Sequence, residues 1–160
     1  TPDIKDESVE TLATTALAPV DRADGENPYT IQQDLQETMQ DLAGISRSEE
    51  DLTTAIGCID GYTKRATNAH APGNREYNPG WHTALDLHNL MVVSEALCRS
   101  ALQRNESRGG HFRSDFPEKS EEGSTYNTVV RRAKDGSMEV ERLPVAVLTD
   151  EMKEIIEGAR

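Results

Sequence analysis

The stretch from Asn78 to Arg104 constrains this chain most. After Asn78-Pro79 there is no further proline until Pro117, and the middle reads "LMVVSEALC". Asparagine followed by proline is a helix start with a mechanism: the side chain can accept an orphan N–H, and the fixed proline φ suits the first turn. A helix from there to Arg104 would be roughly 39 Å long at 1.5 Å per residue. Its centre is apolar nearly all round, which predicts the central and most buried helix of the fold.

A helix of that kind needs partners, and the preceding sequence supplies two. Asn27-Pro28 repeats the start signal, and Ile31, Leu35, Thr38, Met39 and Leu42 fall on one stripe before Gly44. Ser48 with Asp51 resembles a capping box, and Leu52, Ala55, Ile56, Ile59, Tyr62 and Ala66 form the face of the next helix. So short a connection implies an antiparallel helical hairpin. Upstream, Val9, Leu12, Ala13, Ala16 and Leu17 predict an amphipathic helix over 6–18, ended by Pro19 and followed by the linker "PVDRADGENP". Beyond Pro117, "TYNTVVRRA" and "MEVERLPV" read as strands joined by "KDGS", with Asp135-Gly136 at the turn. Asp150 is placed to cap a last short helix carrying Met152, Ile155 and Ile156. A lone hairpin is barely stable in water, so it should lean on the bundle or on something outside this segment. The expected fold is mainly α: an antiparallel three-helix bundle over 27–117, an N-terminal helix and linker over 1–26, and a polar loop, β-hairpin and short helix over 118–160.

Composition agrees with helix packing. Aromatic residues are only 4% of the 160, so the core must come from aliphatic side chains. The formal charge of −12 makes nucleic acid an unsuitable partner. No apolar run approaches the length of a membrane span, so direct membrane insertion is not expected. The acidic start "TPDIKDESVE" is unlike a signal peptide and has no initiating Met, which suggests a segment of a longer protein. Cys58 and Cys98 belong to no C-x-x-C and read as buried, reduced thiols of a cytoplasmic protein.

Chemical motifs are scarce. There is no G-x-G-x-x-G, P-loop, H-E-x-x-H or G-x-S-x-G. His82 and His88 lie on different helix faces, His82 with Asp86 makes at most two ligands, and no metal site is expected. His88, beside Leu85 and Val92, reads as half-buried, and Tyr77 with Trp81 as a hydrophobic plug. Cys98 has no histidine at helical spacing and looks like core. What stands out is "NESRGGHFRSDFP", where Glu106, Arg108, His111, Arg113 and Asp115 alternate in sign around Gly109-Gly110. Its arginines could hold a carboxylate or phosphate. Equally, glycine and arginine could satisfy the last carbonyls of the long helix while the other charges pair internally.

The same residues carry a resemblance. Asn27-Pro28, Leu35-Gln36, Met39 and Gly44-Ile45-Ser46-Arg47, then Asn89-Leu90-Met91, Ser107 to His111 and Asp115-Phe116-Pro117, are similar to the C-terminal helical domain of succinate dehydrogenase and fumarate reductase flavoprotein subunits. L-aspartate oxidase, a soluble relative, has a similar domain. The resemblance covers 27–117. It departs from the family at Gly110, where alanine is usual, and in the tail "EKSEEGSTYNTVV".

The resemblance implies an accessory domain of a parent that oxidises succinate, or runs the reverse, by hydride transfer to FAD. It implies that FAD and the catalytic residues belong to upstream domains, with no catalytic, cofactor or metal residue in this segment. Glu106, Ser107, Arg108, Gly109, His111, Arg113 and Asp115 then form an interdomain structural motif, Arg108 and His111 locking the long helix against the FAD-binding domain or an iron–sulfur subunit. Membrane association would come through partner subunits. The alternatives are the same domain of an L-aspartate oxidase, and a stand-alone acidic helical adaptor.

Overall fold

The structure, a computed structural model, describes residues 5–158; Thr1–Ile4 of the first segment and Ala159–Arg160 of the last lie outside the described residues. Helices α1 (Asp6–Asp21), α2 (Pro28–Leu42), α3 (Glu49–Ala66) and α4 (Pro79–Gln103) are followed by a two-stranded hairpin, β3 (Tyr126–Arg132) with β4 (Met138–Pro144), and by α5 (Asp150–Gly158). Two very short strands, β1 (Ser46–Arg47) and β2 (Phe112–Arg113), pair in parallel with Ser46 opposite Phe112. This is the mainly α bundle with a small hairpin that the patterning predicts.

Each bundle helix starts where its cap stands. The side chains of Asn27, Ser48 and Asn78 accept from the N–H groups of Tyr29, Asp51 and Trp81. Asp51, shorter than the Glu of a capping box, accepts from the Ser48 hydroxyl at 2.6 Å. The helices run antiparallel. The start of α2 meets the end of α3 through Glu26 N–H to Asn68 O, 2.9 Å. The start of α3 meets the region after α4 through Glu49 N–H to Asp115, also 2.9 Å. The core between them holds Ile31, Leu35, Leu52, Ala55, Ile59, Leu87, Met91 and Cys98. Burying each large aliphatic side chain contributes about 2 kcal/mol. Cys98 sits against Met39, and burial pushes its thiol up to about 11, so it stays a protonated core residue. Both thiols are free, but Cys58 is only partly buried.

Several expectations need correction. Pro19 does not end α1, which continues to Asp21. Proline removes one intrahelical bond, but outside donors hold the final turns: Trp81 Nε1 to Ala16 O at 2.6 Å, and Ala71 N–H to Pro19 O at 2.8 Å. Trp81 is therefore a clamp between α1 and α4, whereas Tyr77 is 98% exposed and plugs nothing. His88 is exposed, not half-buried. Most instructive is α4. Its inner row is buried, but Val92, Val93 and Leu97 are exposed, because two neighbouring helices cover only one side of it.

The hairpin leans on the end of α4 as expected. Gln103 Nε2 donates to Val140 O at 3.1 Å, and buried Tyr126 lies between the guanidinium groups of Arg104 and Arg142, 4.8 and 4.6 Å from its ring centre. Gly136 occupies the left-handed region at φ 89°, which the Asp135-Gly136 turn requires. Thr149, not Asp150, caps α5: its hydroxyl accepts from Met152 N–H at 3.3 Å.

Candidate functional site

At the C-terminal end of α4 a helix must find partners for its last carbonyls. Arg113 supplies them. Fully buried, it donates from Nη1 to the carbonyls of Ala101, Leu102 and Arg104 at 3.1, 3.3 and 3.4 Å. Its Nε and Nη2 make a two-pronged ion pair with Asp115, both bonds 2.7 Å, and Phe116 covers the guanidinium plane. Asp115 in turn accepts the Glu49 N–H at the start of α3. One arginine–carboxylate pair thus ties the end of α4 to the beginning of α3. The Arg113 hydrogen bonds outweigh partial burial and hold the Asp115 carboxyl at about 2.

A second pair lies beside it. Glu106, 1% exposed, accepts from Arg104 Nη2 at 2.5 Å, from Arg108 Nε at 3.1 Å and from Ser120 N–H at 3.1 Å. Burial pushes this carboxyl up, but the bonds from Arg108, Arg104 and Ser120 together prevail and bring it down to about 2. Arg104 and Arg108 also donate to Gly123 O and Ser120 O, at 2.5 and 2.7 Å, so the "EKSEEGS" loop is fastened over the carboxylate. Gly123 lies so close that an added Cβ would fall on the Glu106 carboxylate.

The glycines close the remaining turn. Arg108 and His111 exchange backbone bonds of 2.7 and 3.0 Å, with Gly109 at φ 60° between them. Ser107 Oγ accepts from Arg113 N–H at 2.9 Å and donates to Phe116 O at 2.8 Å. His111 bridges to the other half of the bundle: Nε2 bonds Arg104 O at 3.1 Å and Nδ1 faces Arg47 Nη1 at 3.2 Å. Since arginine only donates, Nδ1 accepts and Nε2 carries the proton. Burial is the main cause that lowers the His111 value, and Arg47, Arg113 and Arg104 reinforce it. Arg47 Nε caps α2 at Ala43 O and Gly44 O, 3.1 and 2.8 Å.

All seven residues singled out in the sequence therefore belong to one cluster, and its arginines, carboxylates and histidine bond to one another or to nearby backbone. Arg108 and His111 make their bonds within this chain. Arg47, Arg104, Ser120 and Gly123 complete the cluster and were not singled out. The Gly44–Arg47 motif was visible, but its pairing with His111 spans 64 residues and has no local signature. Most of the donors in this arrangement are already engaged within it, which leaves little of it open as an anion cradle. Nor does it fit a flavin: the cluster's guanidinium groups are taken by carbonyls, carboxylates and His111, and the Gly109-Gly110 turn is closed by its own backbone bonds. Among the described residues no group of three or more His, Cys, Asp or Glu could hold a metal ion.

Fold and cluster together define a helical-bundle module with a largely buried ionic clasp. The chain belongs to the family described as fumarate reductase flavoprotein C-term, which matches residues 32–155. The similarity thus runs past Pro117 and through the hairpin, further than the sequence motifs suggest. The fumarate reductase flavoprotein subunit of Mycobacterium tuberculosis H37Rv is 36% identical over 124 residues, covering 77% of this chain and 21% of that protein. An L-aspartate oxidase of Acinetobacter baylyi is 32% identical over 115 residues, covering 72% and 19%. Among solved structures, Mycobacterium smegmatis Sdh1 in complex with UQ1 superposes with a TM-score of 0.85 at 36% identity, covering 91% of this chain and 25% of that one. The chain spans about a fifth of the length of the curated relatives it matches.

Proposed function

We propose that this chain is the C-terminal accessory domain of a succinate dehydrogenase or fumarate reductase flavoprotein subunit, inert alone. The parent interconverts succinate and fumarate by hydride transfer to or from FAD held in upstream domains. The observation that carries this reading is the 36% identity to a fumarate reductase flavoprotein subunit over 124 residues of this chain. The clasp, Glu106 to Asp115, serves the parent by rigidity. It fixes the end of α4, the Gly109-Gly110 turn and the covering loop as one solid surface, against which the FAD-binding domain or an iron–sulfur subunit packs. Membrane association, where it occurs, comes through partner subunits; no helix among the described residues is long and apolar enough to cross a membrane.

Similarity to L-aspartate oxidases at 32% identity supports a second reading, the same domain in a soluble oxidase. Dye reduction by succinate and oxidation of L-aspartate, measured in parallel on the full-length protein, separate the two. Succinate-dependent reduction is the expected result. Aspartate turnover alone would overturn it.

A further inference from the structure

The C-terminal arm contrasts with everything before it. From Val145 the chain leaves the hairpin, and α5 contains no buried residue. Val147 is 89% exposed and Ile155 65%. Met152, Ile155 and Ile156 stand at i, i+3 and i+4 and fall on one stripe of α5, and the half-exposed Leu148 precedes its cap. Asp150, Glu154 and Glu157 lie on the opposite side. A helix of nine residues is too short to persist in water by itself, so its apolar stripe must be covered by something. The bundle does not cover it.

We propose that residues 145–158 are a strap that latches this domain to the upstream part of the same polypeptide, α5 seating its stripe in an apolar groove flanked by basic groups. This rests on the reading that the chain is one domain of a longer flavoprotein. Three observations point to that occupant. The relative is about five times as long as the matched segment, so most of its surface lies outside this domain. The family match itself runs into α5, to residue 155, so the arm belongs to the module and is no stray extension. The helix carries four carboxylates, Asp150, Glu151, Glu154 and Glu157, against Lys153, which favours a basic surround.

One other groove could take it. The wedge between α4 and the hairpin tip, about 740 Å³, is lined by Val92, Val130 and Met138 together with Arg99, Arg131 and Arg132. The clasp offers nothing comparable, because its polar groups are engaged.

A photo-crosslinking amino acid at position 155 of the full-length protein decides between them, read by peptide mapping. Crosslinks to peptides upstream of this domain are expected. Crosslinks to 88–99 or 130–138 of the same chain would overturn the proposal in favour of the wedge. Crosslinks between two copies, or none, would overturn it as well. A second measurement guards against a silent probe. In full-length protein, Met152→Ser with Ile155→Ser should speed proteolytic cleavage in the 145–149 linker by roughly tenfold, the scale of about 1.4 kcal/mol in an opening equilibrium. An unchanged cleavage rate would count against the strap. Neither readout depends on turnover, so failure of the succinate assay would sink the catalytic assignment and leave the strap to its own test.

Discussion

Two arginine–carboxylate clusters sit at opposite ends of the bundle, and they differ in burial far more than in composition. At one end Arg65 pairs with Glu26 and Asp34, closing the start of α2 on the end of α3, and each of the three side chains is about a third exposed. At the other, Arg113 and Glu106 are essentially without solvent. Water reaches all three partners in the first cluster, whereas in the second it reaches Arg108 and Asp115 but not the Glu106 and Arg113 with which they pair. The same side-chain chemistry therefore serves as a surface tie in one place and as a structural clasp in the other.

Breaking the clasp should cost most. Arg113→Ala removes the donor shared by the carbonyls of Ala101, Leu102 and Arg104 together with the counter-charge of Asp115, and should destabilise the protein by about 4 kcal/mol in urea unfolding. Glu106→Gln keeps the shape but leaves Arg104 and Arg108 without their counter-charge, for a loss of about 3 kcal/mol by the same measurement. Gly123→Ala should approach that figure at about 2 kcal/mol, because its Cβ must displace the Glu106 carboxylate; a neutral result would show that the loop over Glu106 yields freely. Arg65→Ala, at the solvated end, should cost no more than about 1 kcal/mol. A larger loss there than at Arg113 would reverse the comparison.

Acid sharpens the same contrast. Folding lowers the Glu106 carboxyl from 4.5 and the Asp115 carboxyl from 3.8, each to about 2. The unfolded chain therefore takes up these protons first. Their stabilisation is complete above the unfolded values and is lost as pH falls from about 4.5 toward 2. His111, also lowered by folding, adds a loss that begins below its unfolded value of 6.5. Glu106→Gln should flatten the acid limb of the stability profile; an unaltered limb would contradict the assignment.

What was legible in the sequence follows from range. The starts of α2, α3 and α4 could be read because a cap and its helix lie within four residues. The strands could be read because Asp135-Gly136 sits between two β-rich runs. The candidate site was visible as a string of alternating charges, but not its purpose. Glu106 and Arg113 are buried by segments that arrive from elsewhere: the 118–124 loop, β1 and the start of α3. Arg47 reaches His111 only after two helices have packed. The exposed side of α4 was misread for the same reason. An apolar sequence shows that a face wants cover, and the number of neighbours decides whether it gets any. Pro19 and Tyr77 fit this pattern, one tolerated through outside donors and the other left in solvent despite its ring.

The central claim is that the charged cluster at the end of α4 holds structure and performs no chemistry. Arg108→Ala in the full-length protein tests it most directly, by melting temperature together with succinate-dependent dye reduction well below the melting range. The variant should melt several degrees lower, roughly 2–4 °C for each kcal/mol lost in a domain of this size. Bound flavin should be retained, and turnover should stay within about twofold, on the order of 0.4 kcal/mol in barrier height. An unchanged melting temperature with turnover abolished would contradict the account and move the cluster into the catalytic machinery.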